Sequence, residues 1–193
     1  MIKKSYIVLG CSAGVIVLIG AVLAIVAVRD AAPVDKGPDS AALLMAIADW
    51  NVSAPDFAKA TMESFEHADS SGATVNTRRW TIAVSGDDLV VRQDVRRERN
   101  QNDAHELFVE IDPSEALKND LGNVQKISAD AATHADEAIG YCVPRPTGCF
   151  VIDYWLRYKS YLVDFSLTGG DLQSGSGEAL LTSLDSALDA KLS

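Results

Sequence analysis

The sequence contains few of the residues that carry enzyme chemistry. It has three histidines and three cysteines among 193 residues. His67, His105 and His134 lack the spacing of an H-E-x-x-H zinc motif, and the cysteines form no C-x-x-C pair. Neither a G-x-S-x-G elbow nor a phosphate loop ending in Gly-Lys-Ser/Thr occurs. We therefore expect no enzyme, no metal and no cofactor, and a hydrolase is the most remote alternative.

Acidic residues are absent before position 30, and basic residues are in the minority after it. From residue 29 onward, 15 Lys and Arg face 27 Asp and Glu, which leaves a net charge of −12. A body this acidic repels polyanions, so a nucleic-acid partner is excluded.

Charge is also absent between Lys4 and Arg29. Within Tyr6–Val28, 19 of 23 residues are apolar, and a helix of this length spans ~34 Å, enough to cross a bilayer. A cleaved signal peptide is the alternative, but the run is too long and no A-x-A site ends it. Lys3 and Lys4 precede the span, so the N-terminus should be cytoplasmic and the remainder extracytoplasmic at the plasma membrane.

Two features within this segment have competing interpretations. The tetrapeptide Val8–Cys11 resembles a lipobox, whose cysteine would be lipidated, whereas a free thiol inside the helix is the simpler interpretation. Small residues on one stripe suggest close helix packing and a weak homodimer. The stripe consists of Gly10, Gly14, Ala21 and Ala24.

The chain divides into a cytoplasmic N-terminus (1–5), a signal-anchor helix (6–28), a linker (29–38) and a folded domain (39–193). Two helices should open the domain. The first is capped by Asp39 or Ser40, and the second follows a capping box at Ser53–Asp56, with Phe57, Thr61 and Phe65 on one side.

Alternating residues on both sides of a Gly86-Asp87 turn predict a β-hairpin. Folding about this turn pairs Trp80 with Gln93 and Ile82 with Val91 on the buried face. On the opposite face, Arg79 should pair with Asp94.

The remaining elements complete an α+β pattern. A third strand is expected around Leu107–Ile111, followed by a short helix from Asp112 that ends at Gly122. A second hairpin over 150–168 should turn at Lys159-Ser160. A leucine-striped helix should then run over 177–192. Together they predict an antiparallel sheet with helices packed on one face.

Two side-chain groups stand out. Cys142 and Cys149 bracket a loop with two prolines and a glycine, and an oxidising compartment favours a disulfide between them, with two free thiols as the alternative. A basic cluster forms a candidate anion or partner patch, although a solvated strand end balanced by acids would look the same. The cluster comprises Arg78, Arg79, Arg92, Arg96, Arg97 and Arg99. His134 with Asp136 and Glu137 could hold a cation weakly, and a capped turn is the alternative.

Four stretches resemble the extracytoplasmic sensor domain of mycobacterial-type receptor Ser/Thr kinases and of related anchored proteins of high-GC Gram-positive bacteria. They are ALLMAIADWNVSAPDF (42–57), ADEAIG (135–140), YWLRYKSYLVDFSLTGG (154–170) and the terminal Leu-rich helix. The chain departs from the pattern at Ala135, where Gly is usual, and at Lys159-Ser160, where Gly-Asn is frequent. The resemblance implies an α+β fold and a sensing role, and it supplies no catalytic residues.

These observations predict a single-pass, non-enzymatic binding, sensing or accessory module. Its partners would be the bilayer and another membrane or envelope protein. The alternative is a structural cell-envelope protein without a small ligand.

Overall fold

A computed structural model of the chain describes residues 34–51, 57–83, 88–111, 113–172 and 174–193. Asp35–Ser193 form one compact unit. Its centre is a sheet of seven antiparallel strands in the order β1-β2-β3-β7-β6-β5-β4. The strands are β1 (Thr61–Ala68), β2 (Thr74–Ile82), β3 (Leu89–Arg97), β4 (Gln125–Ile127), β5 (Glu137–Arg145), β6 (Gly148–Tyr158) and β7 (Tyr161–Leu172). The helices in this part of the chain are α1 (Gln101–Glu110), α2 (Pro113–Leu121) and α3 (Ser174–Leu192), with 3-10 helices at Ser40–Leu43, Ile47–Asp49 and Phe57–Lys59. The predicted α+β class with an antiparallel sheet is confirmed.

One face of the sheet, called here the inner face, carries the hydrophobic core. Trp80, Val91, Phe165 and Tyr154 occupy it on four neighbouring strands, and none is more than 1% exposed. Helix α3 packs on them through its leucine stripe. Leu180, Leu181, Leu184 and Leu188 are all 0% exposed. Burial of each such side chain contributes about 1.5–3 kcal/mol, so this layer makes a large contribution to the stability of the unit.

The opposite face, called here the outer face, carries the residues that alternate with the core. It is covered in part by α1, where Phe108 stacks on Trp155 with ring centroids 6.4 Å apart. Trp155 lies between two buried core residues of β6, so its side chain must point away from α3. Helices therefore lie on both faces, and the expectation of helices on one face is wrong.

The opening of the domain differs from its prediction. Asp39 does act as a cap, because its side chain accepts a hydrogen bond from the Ala41 N–H. The helix it caps is a single 3-10 turn, and Leu44 is already in extended backbone. The predicted capping box at Ser53–Asp56 lies outside the described residues. Phe57 begins a 3-10 turn, but Thr61 and Phe65 lie in β1, so the predicted helix carrying all three residues is wrong.

The first hairpin forms, but its register is shifted by two residues. Trp80 pairs with Val91, and Ile82 pairs with Leu89. A shift of two keeps every side chain on its predicted face, because side chains alternate with a period of two. It changes the partners, however, so Asp94 lies opposite Thr77 and not Arg79. The Gly86-Asp87 turn lies outside the described residues.

The predicted third strand is a helix. Asn100 caps α1 by accepting hydrogen bonds from the N–H groups of Asn102 and Asp103. Ala104 and Phe108, four residues apart, then face the sheet from one side of the helix. The alternation of Leu107, Val109 and Ile111 was therefore misleading.

The later elements agree with their predictions. Helix α2 ends before Gly122, which has a positive φ of 88°. The second hairpin turns at Lys159-Ser160 and pairs Leu156 with Val163 and Tyr154 with Phe165. Helix α3 begins at Ser174, three residues before the predicted start.

The Cys142–Cys149 disulfide is confirmed, with an S–S distance of 2.07 Å. It links the antiparallel strands β5 and β6 close to their connecting turn.

Residues 35–38, assigned to the linker from the sequence, are hydrogen-bonded to the unit: Tyr161 donates to the Pro38 carbonyl at 2.6 Å. Among the described residues, no helix combines the length and the apolar character that a bilayer crossing requires. The predicted span at 6–28, with Cys11 and the Gly10 stripe, lies outside them.

Candidate binding site on the outer face

The part of the outer face that α1 leaves open contains a shallow depression. It is formed by strands β1, β2, β3 and β7, and its volume is about 480 Å³. We call it the outer-face depression. Its lining residues are Phe65, His67, Arg79, Val90, Arg92, Ser166 and Thr168. These residues reach one face because they occupy alternate positions on paired strands.

Arg79 is an exposed cation in this depression. Among the described residues it has neither an ion pair nor a side-chain hydrogen bond, although Glu63 lies opposite it on β1. The hydroxyls of Ser166 and Thr168 line the same depression, and Phe65 and Val90 supply apolar surface. An unpaired guanidinium is suited to bind a carboxylate or phosphate group, and the hydroxyls across β3 line the same depression.

Arg92, the second cation, already has an anionic partner. Its Nε donates to Asp94 Oδ1 at 3.0 Å, and the Thr77 hydroxyl donates to the same oxygen at 2.7 Å. Arg92 remains 45% exposed at its side chain. It therefore forms a fixed wall of the depression, with its charge largely balanced by Asp94.

The carboxyl groups of Asp153 and Asp164 lie beside Arg92, and we call them the carboxyl pair. Asp164 is directly opposite Asp94 across β3 and β7, and its Oδ1 is buried without a hydrogen-bond partner. Burial, together with the charge and hydrogen bond of Asp153, raises the pKa of Asp164 well above its usual 3.8. Burial also raises the pKa of Asp153. The pair consequently shares a proton at a pH where ordinary carboxyl groups are ionised.

Helix α1 closes the far side of this polar region. His105 Nδ1 lies 2.9 Å from Glu137 Oε2, and Arg157 contacts both Glu137 and Asp136. These contacts tie the helix and the start of β5 to the sheet.

The six arginines of the predicted patch do not form one surface. Arg79 and Arg92 meet at the depression. Arg96 is on the same face but is paired with Asp69 and Glu98. Arg78 points to the inner face and donates to the Met45 carbonyl at 2.6 Å. Arg97 lies over the Tyr161 ring, and the Arg99 carbonyl accepts from the Asp35 N–H. Alternation along a strand sends neighbouring cations to opposite faces, which explains this division.

A second polar cluster lies at α3. His134 Nδ1 is 2.7 Å from Asp185 Oδ2, and the Tyr158 hydroxyl donates to Asp185 Oδ1 at 2.8 Å. Asp185 is 1% exposed. Hydrogen bonding to Asp185, and then its charge, raise the pKa of His134. The cluster joins the loop before β5 to α3, and it replaces the cation site suggested for His134 with Asp136 and Glu137.

Sequence reasoning missed Phe65, His67 and the carboxyl pair. Phe65 is predicted on a helix, and His67 stands out in the sequence only by its acidic neighbours. For Asp164 the sequence does contain a signal, because Asp164, Ser166 and Thr168 alternate with buried residues along β7. Polar residues at every second position of a central strand indicate a polar patch on one face.

Within the part of the chain that the structure describes, no group of three or more His, Cys, Asp or Glu side chains is arranged to hold a metal ion. Comparisons of the chain with known protein families, with curated proteins and with solved structures found no match.

Proposed function

We propose that the chain is a non-catalytic binding module that recognises a small anionic ligand at the outer-face depression. The observation that carries this proposal is the unpaired guanidinium of Arg79 in one depression with the hydroxyls of Ser166 and Thr168, which lie across β3 from it. Phe65 and Val90 favour a ligand with an apolar part next to its carboxylate or phosphate. An aromatic carboxylate has both features.

The proposed location is extracytoplasmic, with residues 6–28 as a plasma-membrane anchor. The Cys142–Cys149 disulfide supports an oxidising compartment. The cluster of His134, Asp185 and Tyr158 is the one that most resembles a catalytic triad. Its His134 Nε2 lies 3.9 Å from the Asp189 carboxylate rather than beside a nucleophile, which supports a role without catalysis. The resemblance to sensor domains is a further reason to propose ligand sensing on behalf of another envelope protein.

A structural envelope role is the second candidate, because the depression is shallow. The two roles are separated by measuring ligand-induced thermal stabilisation of the full chain. Benzoate, acetate and phosphate are titrated against chloride at matched ionic strength. A ligand at 100 times its dissociation constant should stabilise the protein by ~2.7 kcal/mol, and benzoate should act at the lowest concentration.

The variant Arg79→Gln should lose this stabilisation. Lys126→Gln removes an exposed cation at the opposite edge of the sheet, so it should behave as the parent. If Arg79→Gln responds like the parent, or if none of the anions acts on the parent, the ligand-binding proposal fails and the structural role remains.

A further inference from the structure

One edge of the sheet is long and unpaired. Strand β1 has eight residues and pairs only with β2. Two of its large apolar side chains are strongly exposed, Met62 at 45% and Phe65 at 48%. Among the described residues no segment pairs with the outward side of this strand, so its free backbone groups are available to another strand.

The two edge strands of the sheet differ in how well they are protected against pairing with a strand of another chain. Strand β4 at the other edge has three residues and carries Lys126, and short, lysine-bearing edges resist pairing. Strand β1 contains neither lysine nor proline, and its register with β2 runs without a bulge. An edge of this length without a bulge, a lysine or a proline is suited to sheet extension.

We propose that β1 pairs antiparallel with β1 of a second copy of this chain, with Phe65 opposite Phe65 of the second copy. The side-chain charges select this register. It places Glu63 opposite His67 of the second copy, on the outer face, and Glu66 opposite Ser64. Moving the two-fold centre to Glu63 or Glu66 would place two carboxylates opposite each other, which is unfavourable.

The centre at Ser64 is the remaining near alternative. It places Glu63 against Phe65 and Glu66 against Met62, so each charged side chain would meet an apolar one. The Phe65-centred register instead joins two aromatic rings and one acid–histidine pair on the same face. The strand is thus self-complementary in one register, as a two-fold interface requires.

The dimer changes the surroundings of the outer-face depression. Phe65 and His67 line that depression on β1, so the second copy would add its own Phe65 to the open rim. The sheets of the two copies would become continuous. Because the contact is mainly one strand from each copy, its area is at the low end for protein interfaces, and association should depend on concentration.

A cysteine trap tests the register in the full chain, with Cys11→Ser in all samples. Under mild oxidation, Phe65→Cys should form a covalent dimer, because the two cysteines face each other. Met62→Cys is the matched control: it is exposed to a similar extent, but its partner in this register is Ala68 of the second copy. If Phe65→Cys yields no dimer, or Met62→Cys cross-links equally well, the proposal is overturned.

A charge swap supplies a second measurement that needs no cysteine. Sedimentation equilibrium of the full chain in detergent should show at least fivefold weaker dimerisation for Glu63→Lys and for His67→Glu. The double variant places a cation opposite an anion in this register and should return to the parent value. Circular dichroism confirms that each variant is folded. Additive weakening in the double variant, or a monomeric parent at all concentrations, contradicts the proposed pairing.

Discussion

At the residue scale, the carboxyl pair has the clearest electrostatic consequence. Asp164 has its pKa raised in the folded state above its usual 3.8, so the unfolded chain loses this proton first as the pH rises. The folded state is then increasingly disfavoured as the pH rises from about 4 through the folded pKa. At neutral pH, Asp164 therefore lowers the free energy of unfolding.

We predict that Asp164→Asn is more stable than the parent at pH 7, by roughly 1–3 kcal/mol, the usual cost of a poorly satisfied buried polar group. An amide donates to Asp153 as the protonated acid does, but it cannot ionise. Urea unfolding from pH 4 to pH 8 should show the difference increasing with pH.

Asp94→Asn is the matched control for this substitution. Asp94 accepts hydrogen bonds from Arg92 and Thr77, so neutralising it should destabilise the protein. An Asp164→Asn variant that is less stable than the parent at pH 7 would refute the shared proton.

His134 affects stability in the same direction with pH, because its pKa is also raised in the folded state. Its pKa is raised from 6.5 by hydrogen bonding to Asp185 and by the charge of that carboxylate. The interaction therefore stabilises the fold fully below pH 6.5 and is lost as the pH rises through the folded pKa. We predict an imidazole NMR titration midpoint above 6.5 for His134.

Two variants assign the cause of this shift. Asp185→Asn should lower the midpoint more than Asp189→Asn, because Asp189 acts only through a weaker, more distant charge. Equal effects of the two variants would show that the overall negative charge of α3, and not the short hydrogen bond to Asp185, determines the pKa of His134.

At the scale of secondary-structure elements, the disulfide is the local restraint with a calculable effect. It closes an eight-residue loop between β5 and β6, which corresponds to about 2.5 kcal/mol in the chain-entropy treatment. We predict that reduction lowers the melting temperature by about 5–10 °C. The Cys142→Ala/Cys149→Ala variant should melt near that lower temperature whether or not reductant is present.

A thiol count is the independent check on the disulfide. Before reduction, the native protein should expose no reactive thiol from these two positions. Two freely titrating thiols in the native, unreduced protein would contradict the disulfide and weaken the argument for an oxidising compartment.

The local sequence patterns of these elements explain which of them could be predicted. The second hairpin follows from strict alternation around Lys159-Ser160, and both of its predicted core pairs are found. The first hairpin shows the limit of that argument, since alternation fixes the face but leaves the register free to shift by two residues. In α1, the cap at Asn100 was a better indicator than the short alternation at Leu107–Ile111.

At the scale of the whole molecule, predictability follows from what each side chain contacts. The inner face could be predicted because its apolar residues all pack into one core. The outer-face depression could not, since its residues come from four strands and meet only through the strand order β1-β2-β3-β7. That order places β3 beside β7, about 70 residues later in the chain, and no local pattern encodes such a pairing.

The last prediction concerns the topology of the whole chain, which we expect to follow from Lys3, Lys4 and the charge-free run after them. Alkaline phosphatase folds only in an oxidising compartment, so its fusion after Ser193 should be active, while a fluorescent cytoplasmic reporter at the same site should be dark. Ser193 is exposed and follows the end of α3, so a fusion there should not disturb the core. Deleting residues 1–33 should reverse both signals, because the folded unit would then remain in the cytoplasm. An inactive phosphatase together with a bright cytoplasmic reporter on the full chain would reverse the proposed orientation and remove the extracytoplasmic setting from the proposed function.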